Sequence, residues 1–227
     1  MNQWIGLVVS YAFVFAVLGV AGILQKSGRI SGETARKIVH IGVSNWIVLA
    51  LFLFRDWYFA IIGPASFVIL NFISWRYDLF EGMEAGDKSP GTVFFAISLT
   101  VVTWHFWWLW NTTGVDLRFI AVTAILVMGW GDGLAAVFGH RYGKRKLIGY
   151  KTLVGTTAMF IVSVIVCLAV SLLLAPWPAA TALLLGLALA ALATIGELLL
   201  PAGWDNLIVP LVTAYAYYGW IVLAPGF

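Results

Sequence analysis

Charged residues are scarce in this sequence. Only 10% of its 227 residues are Asp, Glu, Lys or Arg, whereas 62% are hydrophobic. A soluble domain needs more polar surface than this composition provides, so the sequence predicts an integral membrane protein with the lipid bilayer as a partner. The formal net charge is only +3 and no basic arm is present, which argues against nucleic acid as a partner.

Cysteine is nearly absent, because Cys167 is the only one in the chain. A single cysteine excludes a disulfide within the chain and a zinc site built from cysteines. The apolar residues around it in the sequence favour a small side chain that faces lipid or the protein core.

Basic residues are also missing from the start of the chain. The apolar run from Trp4 to Leu24 has no lysine or arginine before it. Its length is nearer to a membrane span than to the shorter apolar core of a cleaved signal peptide. We therefore expect this run to remain in the protein as a helix.

Long apolar runs occupy most of the remaining sequence. A helix needs about 20 residues to cross roughly 30 Å of hydrocarbon at about 1.5 Å per residue, and eight runs approach this length. No repeat or linker is visible, so we predict an all-α polytopic bundle that forms one domain over residues 1–227. The predicted spans are 2–24, 38–54, 57–75, 91–110, 118–138, 153–175, 179–200 and 206–224.

Most charged residues fall on one side of this predicted bundle. The connections after spans one, three and five contain four, two and five basic residues, against two on the opposite face. By the positive-inside rule these connections face the cytoplasm and both termini lie on the other side. Eight of the ten acidic residues share the same face, which the rule does not require. We therefore expect the chemistry at the cytoplasmic face.

The longest polar interruption runs over residues 129–156. Asp132 lies there near the end of predicted span five, between Gly131 and Gly133. A carboxylate at this depth needs a cation, a metal or a water-filled cavity. Small neighbours allow a bulky ligand to approach the backbone closely.

Basic residues and a helix start follow Asp132. Lys144 and Lys146 lie in the connection, and the start of span six contains Lys151, Thr152, Gly155 and Thr156. The free N–H groups of a helix start favour an anion, although the spacing is not that of a Walker loop. The stretch is therefore typical of a polyanion site, such as a nucleotide phosphate chain with its metal. Basic charge that only sets the topology is the alternative.

A second polar motif precedes the predicted span two. On a helix, Arg36 and His40 share one face and Lys37 is displaced around it. The motif either binds an anionic group, with His40 as a donor or proton carrier, or holds its cations at the lipid headgroups.

A third polar motif flanks the last connection. Glu197 ends span seven, and Asp205 with Asn206 opens span eight. These residues either form a second metal or nucleotide contact, or act as a buried ion-pair partner and a helix cap.

Four motifs in this order resemble the family of CTP-dependent lipid-alcohol kinases, which comprises dolichol kinase, phytol kinase and the yeast-type diacylglycerol kinase. Its members are often named phosphatidate cytidylyltransferases. The motifs are Arg-Lys-x-x-His at 36–40, Pro-Gly-Thr before an aromatic span at 90–95, Gly-Asp-Gly-x-Ala, Gly-x-x-x-Gly-Lys-x-Lys and Lys-Thr-x-x-Gly-Thr within 131–156, and Glu followed by Asp-Asn-Leu-x-x-Pro at 197–210.

The resemblance implies Mg²⁺-dependent transfer of the γ-phosphoryl group of CTP to a lipid alcohol of the polyprenol, dolichol or phytol type. We predict Asp132, Lys151 and His40 as catalytic residues and Asp132, Glu197 and Asp205 as metal ligands. The predicted nucleotide-binding residues are Arg36, Lys37, Gly131, Gly133, Lys144, Lys146, Thr152, Gly155, Thr156 and Asn206.

One position departs from the family pattern. Relatives commonly have Lys-Ser-x-Glu-Gly-Ser where this chain has Val154 in place of the glutamate. A phosphatidate cytidylyltransferase, which forms CDP-diacylglycerol, is the alternative enzyme. A transporter is the alternative from another class, but it should carry ionisable groups near the bilayer midplane and repeated halves, and polar residues within the spans are sparse.

Overall fold

The computed structural model of the protein describes residues 2–77, 90–175 and 177–223. Over these ranges the chain is almost entirely helical, and eight helical segments are long and apolar enough to cross a membrane. The prediction of an all-α polytopic membrane bundle is therefore confirmed. The acidic part of the predicted connection after span three lies outside the described residues.

Each predicted span corresponds to one or two helices. The first four spans are α1 (Gln3–Lys26), α2 with α3 (Gly32–Ser44 and Trp46–Leu53), α4 (Trp57–Tyr77) and α5 (Gly91–Thr113). The last four are α6 with α7 (Arg118–Leu126 and Gly133–Tyr142), α8 (Leu153–Leu174), α9 (Ala179–Leu199) and α10 (Asp205–Leu223).

The second span begins earlier than predicted. Ser31 caps α2 by accepting a hydrogen bond from the Thr34 backbone N–H at 3.2 Å, and Glu33 lies in the first turn, where an acid stabilises the helix dipole. The predicted start at residue 38 was wrong because these polar residues cap the helix. Arg36 and Lys37 therefore lie inside a helix rather than in a connection.

The fifth span is longer than predicted and contains a π-helical turn. This turn, Val127–Asp132, joins α6 to α7. Asp132 therefore lies ten helical residues before the end of the span at Tyr142, rather than near its end. Ten residues correspond to about 15 Å of helix, so the carboxylate is well inside the bundle. Single π turns within α-helices are frequent at functional sites.

A short β-hairpin precedes the sixth span, which the apolar pattern did not predict. Strands β1 (Lys146–Ile148) and β2 (Lys151–Thr152) pair antiparallel, with Lys146 opposite Thr152. Gly149 makes the turn with φ of +57°, a conformation that favours glycine. The hairpin fixes the position of Lys151 directly before α8.

The turn between the second and third spans is held by two amide side chains from other helices. Gln3 accepts hydrogen bonds from the backbone N–H groups of Arg55 and Asp56 at 3.0 and 2.9 Å. Asn111 accepts from the N–H of Trp57 at 2.9 Å and donates to the carbonyl of Arg55 at 3.0 Å. These bonds explain how a connection as short as residues 54–56 joins two spans.

The same end of the bundle buries an arginine. Arg118 donates two hydrogen bonds to Asp116, at 2.8 and 2.6 Å, and its guanidinium lies 3.5 Å from the ring centre of Trp110. Burial alone would raise the pKa of the Asp116 carboxyl, but the bonds and charge of Arg118 outweigh it and hold that pKa below its ordinary value. Arg118 and Asp116 therefore form an ion pair at this end.

Glycines allow α7 and α8 to pack closely. A Cβ atom added at Gly155 would lie 2.9 Å from the backbone carbonyl oxygen of Ala135 and 3.4 Å from the Cα of Gly139. Backbone atoms cannot move aside as a flexible side chain can. The close approach of these two helices therefore requires glycine at position 155.

We expect Gly155→Ala to lower the free energy of unfolding by about 2 kcal/mol, because the added methyl group forces α7 and α8 apart. Thermal unfolding of the purified protein in detergent measures this change. Gly219→Ala is the matched control, since a Cβ atom there meets no atom within 4 Å in the described structure. This control should leave stability unchanged or raise it by up to about 1 kcal/mol, and equal losses in both variants would contradict the packing argument.

Candidate active site

Three carboxylates from different spans meet inside the bundle. Asp132 ends the π turn, Glu197 lies in the last turn of α9, and Asp205 begins α10. Each offers a ligand oxygen, and these oxygens lie within 4.8 Å of one another. Their side chains are only 14%, 8% and 7% exposed, in that order. Among the described residues this is the group of acids that can hold a metal ion.

Two lysines neutralise part of this charge. The Nζ atom of Lys37 lies 2.7 Å from Oδ2 of Asp132. The Nζ atom of Lys151 lies 3.0 Å from Oε1 of Glu197 and 3.6 Å from Oδ2 of Asp205. Three buried carboxylates thus face two ammonium groups, which leaves one formal negative charge without a partner within the cluster. Burying an unpaired charge is costly, so the cluster favours an added cation.

His40 extends the cluster on its α2 side. Its Nε2 atom lies 3.7 Å from Oδ2 of Asp132, too far for a hydrogen bond, and it is buried without a hydrogen-bond partner in the described structure. The imidazole ring packs on Phe95 with ring centres 4.5 Å apart. A small shift of either side chain brings the imidazole within bonding distance of Asp132.

Both basic residues of the Arg-Lys-x-x-His motif line the cavity with His40, but only Lys37 pairs with Asp132. Arg36 was predicted to share the face of His40, with Lys37 displaced around the helix. In the structure Lys37 bonds Asp132 and His40 lies 3.7 Å from it, while Arg36 lines the adjacent cavity. On a helix, both the residue three positions away and the residue four positions away are neighbours. The rotation of α2 about its axis brings Lys37, three residues before His40, to Asp132.

A large cavity extends from the cluster. Its volume is about 1120 Å³, slightly above the range of about 300–1,000 Å³ for small-molecule pockets. The polar end contains the three carboxylates and both lysines. Further residues at this end are Arg36, His40, Thr152, Gly155, Thr156 and Asn206.

Two side chains at this polar end have buried oxygens without a hydrogen-bond partner among the described residues. These atoms are Oγ1 of Thr156 and Oδ1 of Asn206. Buried polar atoms in native proteins nearly always have a partner, including water or a ligand. Both atoms are therefore suited to contact a polar ligand in the cavity.

The other end of the cavity is mainly apolar and lies between α1, α2, α4 and α5; we refer to it as the apolar arm. Residues that line the apolar arm are Tyr11, Val14, Val43, Trp46, Gly63 and Phe67. None of them is identifiable from the sequence, because apolar residues of a span have the same composition whether they face lipid or a cavity. The one indication of a cavity in this part of the sequence is the pair Ser10 and Tyr11, which are polar residues within an apolar run.

Four residues predicted to bind nucleotide do not line the cavity. Lys144 and Lys146 are exposed in the connection before α8. Gly131 and Gly133 instead pack against α8 and α2, because Cβ atoms at these positions would collide with the side chains of Met159 and Ile41, respectively. Their small size therefore serves the packing of helices rather than the approach of a ligand.

At the start of α8, not all of the backbone N–H groups are free to bind an anion. Thr152 caps this helix, since its Oγ1 accepts a hydrogen bond from the Gly155 N–H at 3.2 Å. One of the N–H groups assigned to an anion is therefore already bonded. Val154, the position of the family glutamate, is half-buried and does not line the cavity.

The fold and the site together define a polytopic membrane protein with a buried polar cluster that opens into an apolar cavity between its spans. The chain is 33% identical over 170 residues to phytol kinase of Synechocystis sp.. The matched region covers 72% of this chain and 69% of that protein. The chain belongs to the family of membrane lipid-alcohol kinases that includes phytol kinase. No family profile and no solved structure matches it.

We expect Lys37→Met to lower the free energy of unfolding by about 3 kcal/mol, because it leaves the buried Asp132 carboxylate without its ammonium partner. Arg36→Met removes the same charge from the neighbouring residue and should cost less than about 1 kcal/mol. Thermal unfolding in detergent, with both variants measured in the same buffer, compares them. Equal stability of the two variants would contradict a larger contribution of the buried pair between Lys37 and Asp132.

Proposed function

We propose that the protein is a membrane kinase that transfers the γ-phosphoryl group of CTP to the hydroxyl group of a lipid alcohol. The observation that carries this proposal is the position of the carboxylate and lysine cluster at one end of a cavity whose other end is apolar. A water-soluble phosphate donor suits the polar end, and the tail of a membrane lipid suits the apolar arm. The similarity to phytol kinase supports the same reaction class.

The acidic cluster fits a magnesium ion. Carboxylate oxygens are the ligands that this hard cation prefers, and Asp132, Glu197 and Asp205 bring three of them within 4.8 Å of one another. The uncompensated negative charge of the cluster also favours a cation. When bound, Mg²⁺ neutralises charge on the transferred phosphoryl group and on the leaving diphosphate.

The protein side chains supply positioning and proton transfer in this proposal. Asp132 accepts the proton of the lipid hydroxyl, held in place by Lys37, and His40 is the alternative base. Lys151 moves from its ion pairs toward the phosphate chain, which carries more negative charge than a single carboxylate. Arg36, Thr156 and Asn206 line the cavity where they contact the donor.

The basic connection before α8 has a separate role in this proposal. Lys144 and Lys146 are exposed and do not line the cavity. Exposed basic residues raise the local concentration of an anionic substrate. We propose that they attract the nucleotide from the cytoplasm, with both termini of the chain on the opposite side, as the charge distribution predicts.

Phosphate transfer by the purified protein in detergent tests the proposed reaction. γ-Labelled CTP or ATP is offered with Mg²⁺ against phytol, a polyprenol and diacylglycerol. We expect label from CTP in a lipid alcohol, and at least about a 100-fold lower rate for Asp132→Asn, which removes both a base and a metal ligand. Asp56→Asn is the matched control, because Asp56 lies at the opposite end of the bundle, and its rate should match that of the unmodified protein.

Two outcomes would contradict the proposal. Full activity of a folded Asp132→Asn variant would remove the central role given to that carboxylate. Consumption of CTP with release of pyrophosphate when phosphatidate is supplied, without label in any alcohol, would instead identify a cytidylyltransferase.

A further inference from the structure

Helices α1, α2, α4 and α5 surround the apolar arm and each turns one face toward it, while Trp46 of α3 lies at its far end. On α4 the lining residues Gly63, Phe67, Leu70 and Ser74 recur at intervals of three or four, the spacing of one helical face. The lining residues of α1 and α5 recur in the same way. The apolar arm is therefore a single channel along the axes of the helices, and it is continuous with the polar cluster.

The length of this channel follows from the helices that line it. Along the second span, the lining runs from Lys37 at the polar cluster to Trp46, and along α4 it runs from Ser74 to Gly63. At about 1.5 Å per residue these stretches measure about 14 and 16 Å. The apolar arm thus reaches from the reacting groups toward the middle of a bilayer whose hydrocarbon is about 30 Å thick.

The far end of the apolar arm is closed by tightly packed residues. Trp46 is only 3% exposed, and beyond it Ala50 and Ala60 are completely buried in the core. One turn past Ser10 on α1, a Cβ atom added at Gly6 would lie 3.0 Å from the carbonyl oxygen of Leu53. No space for a chain remains between these two helices.

Gly63 is the place at this closed end where a side chain can be added. The nearest atom to a Cβ built there is Cζ2 of Trp46, at an ordinary contact distance of 3.9 Å. Gly63 lines the cavity, so a larger side chain at this position extends into the channel and shortens it.

The side of the apolar arm opens between α1 and α4. Phe15, Leu70 and Ile73 line the cavity and are nevertheless 57%, 49% and 39% exposed. In a membrane these exposed apolar side chains face lipid. A lipid that moves within the bilayer can therefore reach the channel from the side, without passing through water.

We propose that the apolar arm binds the tail of the lipid alcohol as a single chain, and that Trp46 and Gly63 at its closed end determine the tail length that the enzyme prefers. The occupant follows from continuity with the polar cluster, because a hydroxyl placed beside Asp132 directs its tail into this channel. This inference rests on the proposed function for the reaction at the hydroxyl group. The proposal assigns one chain to this channel, so we expect a single-tailed prenyl alcohol to react faster than a two-tailed diacylglycerol.

The test compares kcat/KM for geraniol, farnesol and geranylgeraniol, which differ by one isoprene unit at each step. We expect Gly63→Leu to shift the preference toward the shorter alcohols. The ratio for geranylgeraniol over geraniol should fall at least about tenfold, because even one methylene group in an apolar pocket changes discrimination by about 10- to 200-fold. Ala65→Leu adds the same side chain on α4 at a position that does not line the cavity, and its ratio should stay within about twofold of the unmodified protein.

A binding measurement keeps this inference separate from the proposed reaction. A farnesol analogue with a photoreactive diazirine at the tail end is irradiated in the detergent-solubilised protein, and the labelled residues are identified by mass spectrometry. We expect labelling next to Trp46 and Gly63, lost in Gly63→Leu and kept in Ala65→Leu.

The outcomes separate the two claims. Labelling at the closed end without phosphorylation of any alcohol would overturn the proposed function and keep the tail site. Phosphorylation with an unchanged length preference in a folded Gly63→Leu variant, or with labelling only on the outer surfaces of the spans, would overturn the tail site. Faster reaction of diacylglycerol than of any prenyl alcohol would overturn the single-chain channel.

Discussion

The carboxylates of Asp132, Glu197 and Asp205 lie close together inside the bundle and need positive charge beside them. The carboxylates are largely buried, so Lys37 from α2 and Lys151 from the hairpin before α8 supply part of this charge. Each lysine depends on a local feature: the rotation of α2 about its axis places Lys37 beside Asp132, and the hairpin holds Lys151 beside Glu197 and Asp205. The cluster therefore links four of the eight spans with the hairpin before α8 and positions the groups that the proposed chemistry uses.

The two ends of the bundle differ in how their polar groups are satisfied. At one end, Gln3 and Asn111 bond the backbone of a tight turn, and Arg118 is paired with Asp116 and stacked on an indole ring. At the other end, charge is left over and buried oxygens lack partners among the described residues. Satisfied polar groups add rigidity, whereas unsatisfied ones are suited to a ligand.

The sequence predicts the features that lipid dictates and fails where packing decides. The spans follow from apolar length alone, and the charge asymmetry directs attention to the face where Asp132, Glu197 and Asp205 meet. It does not show that Lys37 rather than Arg36 reaches Asp132, because the two choices differ only by the rotation of α2. The sequence also does not predict the packing role of Gly131 or the existence of the apolar arm. Residues of the same type face lipid, another helix or a cavity, and composition does not distinguish these positions.

The π turn in the fifth span also affects how related chains should be compared. A π turn accommodates one residue more than an α turn, so the residues on either side of Val127–Asp132 are out of helical phase by about 100°. Removal of one residue there would leave the hydropathy, the span length and the motif letters almost unchanged, yet it would rotate Asp132 relative to the buried face of α6. In aligned sequences, a one-residue gap at this point therefore separates chains that keep the acidic cluster from chains that retain only its motif.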